Sequence, residues 1–242
     1  MSPVDGTNQS SWGGSVLWSA EDKLWYMFAA EMLLSCGLRA WACNSQVVVA
    51  TSPSLDQRFI REGTLNFGRA DSDSDGGGGG VLQPRFAHEP NVVRGPGGEW
   101  VIYFTGCDPN AKTGQPTACS PSFLDSTAAL NCSVLGDGST PPSMSVNKRR
   151  GGRSSDHTWM AIASKPSGPW SKPVVVLQGT GIDTNLSPVI FPNGSLLGLW
   201  RGGLNSTRPW STIQRVTATN WKDPSTYKPE YDDLFPDVHS TE

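Results

Sequence analysis

Residues 92–104 read VVRGPGGEWVIYF: a short apolar stretch, a glycine-rich turn and a second stretch rich in aromatic residues. Residues 16–28 (VLWSAEDKLWYMF) and 189–201 (VIFPNGSLLGLWR) have the same shape. The Pro-Gly-Gly and Pro-Asn-Gly sequences of the second and third segments are strong signals for a tight turn between antiparallel strands. The sequence therefore predicts three hairpins of one kind.

A second pattern follows each hairpin. It is a β-strand that ends in Ala with Ser or Thr before a proline turn, at residues 47–54, 160–170 and 215–227. A repeated unit of three or four strands, about 40–50 residues long, is typical of the blades of a β-propeller. A β-sandwich of irregular hairpins is the alternative, but it does not explain why the same order returns in each repeat.

The predicted fold class is all-β, of the five-bladed β-propeller type, with about three blades present and the start of a fourth. We expect one partial domain over residues 1–242, and helix should be minor. The segment most open to a helical reading is 28–42, FAAEMLLSCGLRAWA. The expected parts are blade 1 at about 12–65, a loop at 66–84, blade 2 at about 85–178 with an insertion at 107–156, blade 3 at about 183–232 and the start of blade 4 at 233–242.

The composition limits the class of partner. The chain has 36% hydrophobic and 17% charged residues and a formal net charge of −3. A basic surface that holds a nucleic-acid backbone is not expected at this charge. No run approaches the roughly 20 apolar residues that a membrane-spanning helix needs. We therefore expect neither nucleic acid nor a membrane as a partner.

Cysteines and glycosylation sequons favour an extracellular or secretory location. The chain has five cysteines and no CxxC pair, and Asn-x-Ser/Thr sequons occur at Asn8, Asn131, Asn185, Asn193 and Asn205. We expect Cys107 to pair with Cys119 or Cys132 within the insertion, with Cys36–Cys43 as a further pair. A cytosolic protein with free thiols is the alternative, because residues 1–14 do not resemble a signal peptide.

Three longer segments, HEPNVVRGPGGEWVIYFTG (88–106), WMAIASKPSGPWSKPVVV (159–176) and SPVIFPNGSLLGLWRGG (187–203), resemble the five-bladed propeller glycosidases. These include glycoside hydrolase family 43 and the wider arabinanase, levansucrase and invertase superfamily. ASKPSGPW (163–170) is similar to the strand and turn that follow the inner hairpin in that family. The resemblance covers essentially the whole chain. It implies a carbohydrate substrate, general acid/base catalysis by carboxyl groups in the propeller funnel, and a monomer when complete.

The resemblance also implies where the chain stops. Its last residues, Asp237–Glu242 (DVHSTE), look like the start of the motif in which relatives carry the proton-donor Glu. On this interpretation Glu242 is the catalytic acid, and the chain is a fragment that hydrolyses glycosides poorly or not at all. About 90 further residues would be needed for two more blades of ~45 residues each.

Glycoside hydrolysis needs two carboxyl groups across the scissile bond. Because the inner strands line the funnel, the candidate acids lie just before each hairpin: Glu89 before the second and Asp183 before the third. Glu89 could instead be a solvated turn residue or a cap on a neighbouring strand. In the first hairpin, where relatives carry the general base, this chain has Trp12–Ser15 (WGGS) and no carboxylate.

Several residues beside these acids are candidate sugar-binding groups. His88 could bond a sugar hydroxyl or orient Glu89, and a buried structural histidine is the alternative. Asn185 stands near the position where relatives place a pKa-tuning Asp, and Arg201 ends the third hairpin with a planar donor group. Trp12 and Trp41, and also Trp170 and Trp200, are candidate stacking platforms, although most tryptophans should pack between blades.

We expect no cofactor and no metal ligand set. The segment 71–76, DSDSDG, matches the first half of an EF-hand loop, but Leu82 stands where a bidentate Glu is required. A structural calcium ion on the propeller axis is implied by family resemblance only. Two further functions stay open: a carbohydrate-binding propeller without hydrolytic activity, and a protein-interaction propeller, against which the absence of WD and Gly-His signatures weighs.

Overall fold

The fold is all-β. The computed structural model describes residues 10–32, 45–65, 67, 87–107, 156–177, 185–201, 213–230 and 234. Within these ranges there are twelve strands, one short 3₁₀ turn and no α-helix. The first five residues of the segment 28–42 lie in a strand, so the helical reading is wrong there, and 33–42 lie outside the described residues.

The strands form three four-stranded antiparallel sheets in which each strand pairs with the next along the chain. The first sheet contains β1 (Ser11–Ser19), β2 (Leu24–Met32), β3 (Ser45–Ser52) and β4 (Ile60–Thr64). The second contains β5 (His88–Arg94), β6 (Trp100–Cys107), β7 (Asp156–Ala163) and β8 (Val174–Leu177). The third contains β9 (Ser187–Ile190), β10 (Leu196–Arg201), β11 (Ile213–Ala218) and β12 (Tyr227–Glu230), with the 3₁₀ turn Pro224–Thr226 before β12.

The glycine turns of the second and third hairpins have the same hydrogen bonds. In the second, Gly95 N–H donates to the Glu99 carbonyl and Gly98 N–H to the Gly95 carbonyl. In the third, Phe191 pairs with Ser195 and Gly194 N–H donates to the Phe191 carbonyl. Gly98 and Gly194 have φ values of 87° and 84°, which a residue without a Cβ adopts readily. The predicted hairpins are therefore present.

The three sheets stack as neighbouring blades. Their innermost strands lie side by side, with β1 against β5 and β5 against β9. Side chains of β6 alternate between two cores: Trp100, Ile102 and Phe104 face the first blade, while Val101 and Tyr103 face the third. The prediction of three consecutive propeller blades is confirmed.

Some predicted parts lie largely outside the described residues. Of the loop at 66–84 only Phe67 is described, and its ring stacks on Phe104 at 4.7 Å in the first core. The interior of the insertion and the cysteines Cys36, Cys43, Cys119 and Cys132 are outside. Within 233–242 only Leu234 is described, and its N–H donates to the Ile213 carbonyl at 2.9 Å.

Candidate functional site

The entry to each innermost strand contains left-handed backbone. In β1 the pairing with β2 shifts between Trp12 and Ser15, where Gly13 and Gly14 have φ values of 59° and 132°. In β5 the pairing with β6 shifts between His88 and Asn91, and Glu89 has a φ of 49°. In the third blade Asn185, two residues before β9, has a φ of 22°. Positive φ at residues other than glycine costs free energy and clusters at functional sites.

The first two entries lie in direct contact. A Cβ added at Gly13 would lie 3.3 Å from Cγ of Glu89, so a glycine permits the close approach. Ser15 Oγ accepts a hydrogen bond from Val92 N–H at 2.8 Å. These contacts place Trp12 beside Glu89 although the two residues are 77 positions apart.

Glu89 has two unequal carboxyl oxygens. Its Oε1 accepts a hydrogen bond from the indole Nε1–H of Trp12 at 2.9 Å. Its Oε2 is buried and has no hydrogen-bond partner. Burial raises the pKa of Glu89. The Trp12 hydrogen bond and the positive charge of Arg201 lower that pKa, but their effect is smaller, so the pKa stays above its ordinary value.

Three of the predicted residues thus come together from three blades: Trp12 from β1, Glu89 from β5 and Arg201 from the end of β10. Arg201 is half-buried, and Trp12 keeps 48% of its surface exposed. Asn185 lies at the matching entry of the third blade, and its Oδ1 is buried without a hydrogen-bond partner. This end of the blades therefore offers a carboxyl, a guanidinium, an amide and an open aromatic face.

His88 joins the second blade to the first. It is 4% exposed, and its Nδ1 lies 2.9 Å from Ser45 Oγ, which donates to the Ala87 carbonyl at 2.9 Å. Since the serine hydroxyl has one proton and gives it to Ala87, Nδ1 of His88 is the donor in this pair. Burial lowers the pKa of His88 to about 4, so the ring is neutral at pH 7. The buried position matches the structural alternative for this residue.

The remaining predicted residues are not part of this cluster. Trp170 and Trp200 are buried in the two interblade cores, at 5% and 1% exposure, so their faces are closed to a sugar. Glu242, Asp183 and Trp41 lie outside the described residues.

Sequence reasoning missed Glu31. This carboxylate on β2 is 3% exposed and accepts hydrogen bonds from Arg61 of β4, at 2.9 Å from Nη2 and 3.2 Å from Nε. The signal was a single acid inside the apolar run FAAEMLL (28–34). A buried charge of this kind needs a partner, but nothing local indicates Arg61.

No group of three or more His, Cys, Asp or Glu side chains that could hold a metal ion occurs in the described ranges. The calcium ion implied by resemblance stays an expectation, and residues 71–76 lie outside the described ranges. The same ranges contain no helix with the length and apolar character to cross a membrane.

Comparison with solved structures identifies the architecture. A family 117 glycoside hydrolase of the marine bacterium Zobellia galactanivorans superposes over 95% of this chain and 57% of its own, with a TM-score of 0.51 and 12% identity. A glycoside hydrolase of family 43, subfamily 12, from a capybara gut metagenome matches 93% of this chain and 31% of its own, with a TM-score of 0.50 and 10% identity. The chain has the fold of the propeller glycoside hydrolases. The predicted resemblance is thereby confirmed for the fold.

This chain spans 57% and 31% of the lengths of those two enzymes. Its sequence matches no protein-family model and no curated protein. At 10–12% identity the likeness covers the fold and not the activity.

Proposed function

We propose that this chain belongs to a glycoside hydrolase that cleaves poly- or oligosaccharides, with Glu89 as the residue that donates a proton at the meeting point of three blades. The observation that carries the proposal is the carboxyl of Glu89, held by Trp12 at one oxygen and buried without a partner at the other. The propeller glycosidase fold supports it.

A proton donor in glycoside hydrolysis must stay protonated near the working pH. Burial of Glu89 raises its pKa and so favours the protonated form. Three other carboxylates of the described residues form ion pairs: Glu31 with Arg61, Glu99 with Lys222 and Glu230 with Arg215. Among those residues Glu89 alone has a buried carboxyl oxygen with no partner.

The second carboxyl of the reaction is proposed to come from Asp183 or Glu242. It would act as the nucleophile or as the base that activates water, depending on its distance from Glu89. Arg201 and Asn185 are proposed to bond sugar hydroxyls, and the exposed ring of Trp12 to stack on a sugar face. None of these steps requires a cofactor.

The test compares the wild-type chain with Glu89→Gln on arabino-, xylo-, fructo- and galacto-oligosaccharides, with products followed by chromatography. Glutamine keeps the shape and has no acidic proton, so turnover should fall by roughly 10²–10⁴-fold. Glu21→Gln is the matched control, because the Glu21 side chain is 69% exposed in the first hairpin turn. Wild-type turnover by Glu89→Gln would contradict the assignment of the acid.

A carbohydrate-binding propeller without hydrolysis is the second candidate. The observation that favours it is the entry of the first blade, where Trp12–Ser15 places an aromatic ring and no carboxylate. Titration calorimetry with the same oligosaccharides separates the two functions. Binding without turnover in wild type, together with unchanged binding in Glu89→Gln, would replace hydrolysis by binding.

A further inference from the structure

The two oxygens of Glu89 are distinguished by one side chain, Trp12. We propose that Trp12 is a positioning residue that fixes the proton of Glu89 on Oε2 and holds the carboxylate after that proton has left. The catalytic part of this inference rests on the proposed function, whereas the placement of the proton does not.

The placement follows from the hydrogen bonds. A proton on Oε1 would meet the indole N–H, which already donates to that oxygen at 2.9 Å. Oε2 is buried without a donor, and an ionised oxygen in such a position is costly. The protonated form therefore carries its hydrogen on Oε2.

Trp12 is held in place by backbone and not by core packing. Gly13 and Gly14 form the irregular entry of β1, and the 2.8 Å bond from Val92 N–H to Ser15 Oγ fixes β1 against β5. The side chain itself is 48% exposed. Removing the indole should therefore alter Glu89 without opening a cavity.

Few other charges face Glu89. Its carboxyl is influenced by the positive charge of Arg201 on β10, while the neighbouring His88 is buried and neutral at pH 7. Of the strands packed against β5, β1, β3 and β9 have no ionisable side chain. The strand β2 contributes Glu31, paired with Arg61, and Tyr26, whose hydroxyl donates to Asp22. The strand β6 contributes Tyr103, which is hydrogen-bonded to Tyr227, and its last residue Cys107.

The proton transfer is balanced as follows. Because Oε2 is buried in this structure, the side chain must first turn this oxygen towards the substrate. The O–H bond at Oε2 then breaks, an O–H bond forms at the departing glycosidic oxygen, and the electron pair stays on the carboxylate. The hydrogen bond at Oε1 is stronger to the anion than to the neutral acid, so Trp12 stabilises the carboxylate as it forms. Water completes the hydrolysis and restores the proton to Oε2.

The experiment is a pH titration of the Glu89 carboxyl by ¹³C NMR in the full chain labelled at the Glu side-chain carboxyl carbon, with the signal assigned by its loss in Glu89→Gln. Trp12→Phe and Trp12→Leu both remove the donor, and both should titrate at higher pH than wild type. Trp18→Phe is the matched control, because Trp18 is on the same strand, 43% exposed, with its ring 5.4 Å from Trp25. Its midpoint should equal that of wild type.

An unchanged or lower midpoint in both Trp12 variants would overturn the inference. The pH–rate profile on the fastest-cleaved oligosaccharide separates it from the proposed function. A shifted midpoint together with equal, measurable turnover in wild type and Glu89→Gln supports the role of Trp12 and rejects Glu89 as the acid. Hydrolysis with an identical pH profile and an identical midpoint in Trp12→Phe supports the hydrolase and rejects the role of Trp12.

Discussion

At the scale of single residues, the Ser45–His88 pair joins the first and second blades through a buried imidazole. A histidine that must stay neutral when folded resists protonation, while the same residue in the unfolded chain takes up a proton near its ordinary pKa of 6.5. Acid therefore favours the unfolded chain at this position.

The folded pKa of His88 is about 4, so its contribution to stability is complete above pH 6.5 and is lost as the pH falls from 6.5 towards 4. The expected loss is about 3 kcal/mol across that window. Urea unfolding between pH 4 and 8 measures it. His88→Gln should show a shallower pH dependence than wild type. Equal slopes in wild type and His88→Gln would contradict the prediction.

At the scale of elements, the irregular entry of β1 depends on glycine. A Cβ at Gly14 would lie 2.1 Å from the Phe28 carbonyl oxygen of β2, and the φ of 132° is one that other residues rarely adopt. Gly63 on β4 offers the contrast, since a Cβ there meets nothing within 4 Å. The same substitution thus tests the entry of β1 at one site and a strand position with open space around it at the other.

Gly14→Ala should lower the free energy of unfolding by more than the roughly 1–3 kcal/mol expected from backbone strain, because the clash with β2 adds to it. Gly63→Ala should be neutral or stabilising by up to about 1 kcal/mol, because alanine restricts the unfolded chain. Chemical denaturation of both variants gives the comparison. A Gly14→Ala chain as stable as Gly63→Ala would show that the entry of β1 does not have this backbone.

The hairpins were predictable from sequence because their signals are local. Pro-Gly-Gly and Pro-Asn-Gly specify turns within a few residues, and alternating apolar residues give the two faces of a buried strand such as β6.

The candidate site was predictable only in part. Glu89 stood out as an acid before an inner strand, and the structure adds its neighbours.

The neighbours of Glu89 were not predictable because they are non-local. The bond from Trp12 joins residues 77 apart, and Gly13 favours it by allowing the close approach of two blades. The pair of Glu31 and Arg61 was not predictable either, because the two residues are 30 positions apart on strands that are not adjacent. Asp183 and Glu242 stay predictions, since they lie outside the described residues.

At the scale of the whole molecule, the three blades differ in how their faces are covered. The second blade has a core on each side. The first blade turns Val16 and Trp18 away from its core, at 41% and 43% exposure, and the third blade turns Val189 and Leu199 outward, at 55% and 41%. Apolar burial, the main stabilising contribution, is therefore concentrated around the second blade.

This difference predicts the order of hydrogen exchange. To expose the amides of β6, both interblade cores must open, because Trp100 and Ile102 belong to one and Val101 and Tyr103 to the other. Exchange from β6 should thus require an opening close to global unfolding, whereas β4, an edge strand with alternating half-buried and exposed residues, should exchange through local opening. Mass-spectrometric exchange of the full chain at neutral pH should find β6 slowest and β4 among the fastest of the described strands. If β6 exchanged as fast as β4, the two cores would not be packed on opposite faces of the second blade in solution.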